Sequence, residues 1–434
     1  LPLGRRCMGF LGIPTQERNP MPPIHSGNTS YELFCAAMVM MMTPGLAMFY
    51  GGLVQKKNLL TILMQCCVSM GVSTVLWVAV GYSMAFGDSI GGIIGNPLQY
   101  AFLRGIGLNT LYNNDPILGI PLLVHVVYQM MFAIITPTLI TGAFANRMNF
   151  KAWLLIMALW QICVYFPFVH MMWHPQGMLA KWGALDFAGG IVVHNTAGFA
   201  SIASVLYIGK RTVKHTHPHS LTLVTLGTAL LWFGWFCFNS GSEFRVDQME
   251  VSAFINTHLA AGFGGMTWLF VEWAHVGKPK FLGFLTGTIA GLATVTPAVG
   301  YISPMSACVI GILASIVCYG AVLFKNKIGL DDALDVWPVH GVGGMMGMIW
   351  LGFFADKAWN PATLWENGIL FGGSGKLLLV QLISVVFSSI WAFFATLAIF
   401  WIVDRITPVR VPEHYERDGL DACIFDEVAE AHAH

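Results

Sequence analysis

Apolar residues gather along this chain in windows of about twenty, separated by shorter polar stretches. A membrane-crossing helix needs about 20 apolar residues. Eleven such windows occur, at 31–50, 61–86, 121–144, 152–170, 186–208, 221–240, 251–273, 281–298, 303–324, 335–355 and 377–403. The pattern predicts an all-α membrane protein of eleven transmembrane helices. Residues 31–404 form its transmembrane domain. Residues 1–30 read as an extracytoplasmic or processed segment, and 405–434 as a polar cytoplasmic tail.

The placement of Lys and Arg orients these windows, because cytoplasmic loops carry the excess. One side holds 14 of them: Lys56, Lys57, Arg147, Lys151, Lys210, Arg211, Lys214, Lys278, Lys280, Lys325, Lys327, Arg405, Arg410 and Arg417. The other holds 8: Arg5, Arg6, Arg18, Arg104, Lys181, Arg245, Lys357 and Lys376. The N-terminus is therefore expected outside and the C-terminus inside, as an odd number of spans requires.

Composition agrees with a membrane chain. It is 56% hydrophobic and 10% charged, against about 25% charged for soluble domains. The formal net charge is zero, which implies no nucleic-acid partner. The nine cysteines lack CxxC spacing and lie mostly in apolar runs; they read as small buried hydrophobes, with neither a disulfide nor a metal site implied. No phosphate-cradling glycine loop and no nucleophile–base set appears, so neither a cofactor nor an enzyme activity is expected.

Two polar pairs stand out in the apolar windows. Asp186 precedes His194 by eight residues in DFAGGIVVHNTAG, and Asp332 precedes His340 by eight in DDALDVWPVHGVGG. An ionisable residue inside a span is costly and marks a functional site by default. Eight helical residues rise about 12 Å, so each His falls near the midplane, approached from opposite faces. An odd step of five spans inverts the second copy. This is the pattern of a 5+5 inverted repeat with an eleventh helix added, a fold class that places its site between the halves. Two unrelated histidines bonded to backbone are the plainer alternative. Facing imidazoles can instead share one N–H···N bond and offer a polar step in a dry pore. Two His are too few for zinc. Asp186 and Asp332 both fit helix N-caps. Asp332, with Asp331 and Asp335 beside it, fits that role best; Asp186 can also bias a pore entrance toward cations. The glycines flanking both His, among them Gly198 and Gly341, allow close helix approach.

Five segments together resemble one family: PGLAMFYGGLVQKKN (44–58), DFAGGIVVHNTAG (186–198), FGWFCFNSGS (233–242), TPAVG (296–300) and DDALDVWPVHGVGG (331–344). In order and spacing, across roughly residues 30–420, they are similar to the ammonium transporter family (Amt/Mep/Rh), in its Amt branch. The resemblance implies a homotrimer in a cell membrane, that of a prokaryote, with one pore per subunit. It implies an outer ammonium site at Phe132, Trp173 and Ser242, with Asp186 as its electrostatic and structural partner. A gate of Phe132 and Phe238 and a pore past Thr296, His194 and His340 follow. Aromatic faces attract a compact cation by about 0.5–2 kcal/mol, and a Ser hydroxyl accepts one of its N–H bonds. The function expected is ammonium transport, with the ion deprotonated at the outer site and passed by the twin His. The alternative is an ammonium sensor on the same fold.

Two departures qualify this. The stretch from Trp173 to Asp186 is one residue longer than the family pattern and brings in His174. The tail after GLD (419–421) reads ACIFDEVAEAHAH, unlike the family's, which puts in doubt the cytosolic PII signal protein that the resemblance implies as a partner. The HTHPH run (215–219) reads as a solvated cytoplasmic loop.

Overall fold

The computed structural model describes residues 24–213, 217–361 and 366–429. The expectations for Arg5, Arg6, Arg18, Lys214, His215 and the last five residues lie outside the described residues. Among the described residues eleven helical segments of 15 residues or more succeed one another: α1 Ser26–Leu53, α2 Lys56–Phe86, α3 Leu122–Thr141, α4 (150–173), α5 Gly190–Ile208, α6 Leu221–Ser240, α7 Gln248–Val276, α8 Phe281–Val295, α9 Pro304–Ile328, α10 (337–354) and α11 Lys376–Asp404. A short α12, Glu413–Asp418, follows in the tail. One of the eleven sequence windows falls on each long segment. The first helix starts at Ser26, five residues before the expected boundary, because the His25 ring accepts the N–H of Asn28 and caps it.

Among the described residues, eight helices are long and apolar enough to cross a membrane. The protein is a mostly helical, multi-pass membrane protein. The windows at 251–273, 281–298 and 335–355 fall on α7, α8 and α10, which are not among the eight. Glu250, Asn256, His258, Glu272 and His275 dilute the apolar character of α7. Helix α8 has only 15 residues, a rise of about 22 Å.

Helix starts follow local chemistry. Asp247 accepts the N–H groups of Met249 and Glu250 at 2.8 and 3.2 Å and begins α7. Ser220 accepts from Leu223 and begins α6. Four segments contain wider π-type turns: Trp77–Gly81, Gln161–Tyr165, Gly190–Asn195 and Trp337–Val342. The last two carry His194 and His340. Such turns free a backbone position and re-aim a side chain.

The packing repeats with an offset of five. Helix α1 packs on α2 and α3, and α2 on α3; likewise α6 packs on α7 and α8, and α7 on α8. The equivalent pairs meet directly, α1 on α6 and α5 on α10, and α11 lies against α5. Where α5 crosses α10 there is no room for side chains. A Cβ on Gly198 would run into the Gly341 backbone, and one on Gly344 would meet the Gly190 carbonyl at 2.7 Å. Residues 87–121 form an ordered connection over one end of the bundle, with a two-stranded antiparallel turn, β1 Ser89–Ile90 on β2 Ile94–Gly95.

Candidate functional site: a constricted path between two cavities

At one end of the bundle lies a cavity of about 410 Å³, lined by Trp173, Asp186 and Ser242 among others. At the far side of the core a second cavity, about 170 Å³, is lined by Tyr50, His217, Asp335 and His340. Between them is a void of about 20 Å³ walled by Leu46, Ile135, Leu231, Trp235, Phe238, His194 and His340. That volume holds a single water-sized molecule.

Most of the candidate residues line these cavities or contact a residue that does. The Trp173 indole N–H donates to the Asp186 carbonyl oxygen at 2.9 Å, which fixes the ring at the cavity wall. Ser242 Oγ donates to the Phe238 carbonyl at 3.1 Å and lies 3.3 Å from Tyr128 Oη; its lone pairs remain able to accept from a solute. Beneath them Phe132 meets Trp173 edge-on at 5.8 Å. Phe132 and Phe238 lie with centroids 4.2 Å apart and planes 30° apart. On the other side of Phe238, His194 stacks on Phe238 at 6.2 Å and on Trp235 at 5.5 Å. His194 Nδ1 and His340 Nδ1 are 3.2 Å apart. One ring donates and the other accepts, so two neutral imidazoles of opposite tautomer satisfy the contact. His194 Nε2 has no protein partner.

The Asp186 carboxylate is committed to the backbone. Oδ1 accepts from Gly189 and Gly190 at 2.8 and 2.6 Å, and Oδ2 from Ile191 and Val192 at 2.7 and 3.3 Å. These are the orphan donors at a helix start, which favour a negative charge. Gly189 has φ +123°, a conformation that a Cβ would strain. It folds the chain so that one side chain reaches four N–H groups. Asp332 is the weaker counterpart: Oδ2 accepts from Trp337 at 2.7 Å, and Oδ1 has no partner.

A family model described as Ammonium Transporter Family matches residues 31–430. The chain belongs to the ammonium transporter family. It is 40% identical to "Ammonium transporter" of Aquifex aeolicus over 98% of this chain and 99% of that one. With "Ammonium transporter Amt1" of Archaeoglobus fulgidus it shares 41% identity over 93% of this chain and 99% of the relative. The crystal structure of Candida albicans Mep2 superposes with a TM-score of 0.83 at 32% identity, over 90% of this chain and 87% of that one. A structure described as "Sensor Amt Protein" superposes with a TM-score of 0.83 at 29% identity, over 91% and 97%.

Three placements in this family member come only from the structure. Thr296 lines none of the three cavities. It is fully buried, accepts the Trp235 indole N–H at 2.9 Å and donates to the Leu292 carbonyl. His174 stacks on His170 at 4.4 Å and accepts from Gln176, one layer away from the cavity lining. Part of the HTHPH run folds back on the protein: His217 and Pro218 line the second cavity, and His219 bonds the Val54 carbonyl. Trp235, stacked on His194, was not singled out from sequence, since one Trp in an apolar run carries no signal of its own. His125, Gln129 and Glu243, which line the first cavity, were likewise unmarked; a His and a Gln four residues apart in an apolar window are the only trace they leave.

Outside the spans, charges tie the loops together. Arg211 forks onto Asp331 with a shortest contact of 2.6 Å, and Arg147 donates to the Asp331 carbonyl. Burial alone would raise the Asp331 carboxyl, but Arg211 and then Arg147 hold it down at about 2. Burial raises Asp332 to about 6, against the pull of Lys325 and with the neighbouring Asp335 adding to the rise.

Proposed function

We propose that this protein conducts ammonium across a cell membrane along the path between the two cavities. The observation that carries this reading is the line of features from one cavity toward the other: Trp173 and Ser242 on the first, the close Phe132–Phe238 pair next to Trp173, and a single-molecule void walled by Phe238 and both histidines, with His340 also on the second cavity. Ammonium gathers at Trp173 and Ser242. Dry passage of a bare charge costs too much, so the ion gives up its proton to water in the first cavity, and that proton crosses by a separate route, so each ammonium still carries one charge across. Neutral ammonia then crosses past Phe132 and Phe238 and is handed between His194 and His340. Asp186 acts through the backbone: it holds Trp173 by its carbonyl and the His194 turn by its carboxylate. Thr296 acts through Trp235, the platform for His194.

The same reading places all eleven segments across the bilayer as a 5+5 inverted repeat plus α11. The offset-five packing supports this, since five crossings invert the second half. The loop charges support an orientation with the first cavity and the N-terminus outside and the tail inside. As the family resemblance implies, the assembly is a homotrimer. A sensor role, favoured by the likeness to "Sensor Amt Protein", calls for ammonium binding with little flux. Proteoliposomes of the purified protein given an ammonium jump decide between them. Transport requires a current that is lost in Asp186→Ala and altered in rate or selectivity by His194→Ala with His340→Ala. Binding without current would establish the sensor reading instead.

A further inference from the structure

The lining of the first cavity includes further buried polar side chains, besides Trp173 and Ser242, that the transport reading leaves without a task. His125 and Gln129 stand one turn apart on α3 and both line the cavity. They are 1% and 5% exposed. His125 Nδ1 is 3.0 Å from Tyr82 Oη, while His125 Nε2 and Gln129 Oε1 have no protein partner. Buried polar atoms are nearly always paired, so two together at a cavity wall point to a missing solute. Glu243 lines the same cavity, beside Arg245 and Asp247. Aromatic rings close around His125: Tyr112 stacked at 4.1 Å, Phe86 at 4.5 Å and Phe244 at 5.0 Å.

Two neutral acceptors, a carboxylate and π-faces suit a compact cation with several N–H donors, and suit neither an anion nor an apolar solute. We propose that His125, Gln129 and Glu243 form a second subsite for ammonium or a small protonated amine, occupied together with the Trp173–Ser242 site. His125 presents Nε2 as an acceptor when its Nδ1–H donates to Tyr82 Oη, so Tyr82 sets the tautomer. Gln129 accepts a second N–H. Burial holds the Glu243 carboxyl up at about 8, and a cation beside it draws that carboxyl toward its charged form, which balances the charge. A water-sized molecule takes about 30 Å³, and the cavity of about 410 Å³ holds two such ions with water between them. The identity of the ligand rests on the transport reading.

Isothermal titration of the full chain in nanodiscs with ammonium chloride, at constant ionic strength, tests this. Two ions per subunit are expected. His125→Phe keeps a ring in the aromatic surround and removes both nitrogens; it should leave one ion. Gln129→Met, which spares that surround, and Glu243→Gln should each weaken the same ion by about five- to tenfold, the loss of one such hydrogen bond or charge contact. Trp173→Leu should remove the other ion. The proposal is overturned by one ion per subunit in the unaltered protein. It is equally overturned if His125→Phe and Gln129→Met both retain two, or if Trp173→Leu and His125→Phe remove the same one. Intact two-ion binding without ammonium current would count against the transport reading and leave this subsite standing.

Discussion

Asp186 shows how one side chain serves a site by way of the backbone. Four backbone N–H groups converge on its carboxylate. An amide offers one accepting oxygen and sets two donors of its own against two of these. Asp186→Asn should therefore lower stability by about 2 kcal/mol or more and abolish ammonium current, read by thermal unfolding in detergent and by proteoliposome currents. Unchanged stability would mean the cap is not what holds the turn. Asp332 and Asp331 make opposite pH predictions. Asp332 titrates near 6 in the fold, above its ordinary value. The folded protein then holds a proton that the unfolded chain has released, so its contribution is full below about pH 4 and lost as pH rises through about 6. The span is on the order of 3 kcal/mol. Melting temperatures at pH 5 and 8 should fall further in the unaltered protein than in Asp332→Asn; equal falls would refute this. Asp331 is held down at about 2, so its contribution is present above about pH 4 and is lost only as pH drops through about 2. Of these roles, the cap at Asp186 was readable from an Asp before an apolar run. The four-donor geometry was not, because it depends on Gly189 taking a left-handed φ.

At the scale of elements, the crossing of α5 and α10 sets the distance between the histidines. Gly198 and Gly341 meet backbone to backbone, and the two rings follow at 3.2 Å. Gly198→Ala should force the helices apart, cost about 1–3 kcal/mol and sharply reduce current, even though alanine favours helix. Retention of both stability and current would show that the crossing tolerates a Cβ. The glycine-rich runs marked a close approach in the sequence. The π-type turns did not show there, since a period of 3.6 residues locally widened leaves the apolar pattern almost unchanged. They nevertheless decide where His194 and His340 point.

Across the whole molecule, the tail fastens the loops at one end of the bundle. Asp421 accepts the N–H groups of Leu60 and Thr61 at 2.9 and 2.8 Å and the Thr61 hydroxyl, capping α2 from 360 residues away. Asn58 accepts from Leu420, Arg410 reaches Glu416 and the Ile208 carbonyl, and Val411 pairs with the Arg147 carbonyl. Asp421→Ala should cost about 1 kcal/mol and expose residues 405–429 to limited proteolysis; an unchanged cleavage pattern would show that the cap does not hold the tail. By itself the sequence determined the place of the apolar segments, the offset-five repeat and the paired polar residues. Periodicity and charge are local properties, and the bilayer reads them locally. Only the tertiary structure decided which aromatic rings face the path, that Thr296 stands behind Trp235, that His217 folds over the second cavity, and that His125 and Gln129 share a wall with Glu243. Those outcomes depend on which faces meet when helices hundreds of residues apart pack, and no local pattern encodes that choice.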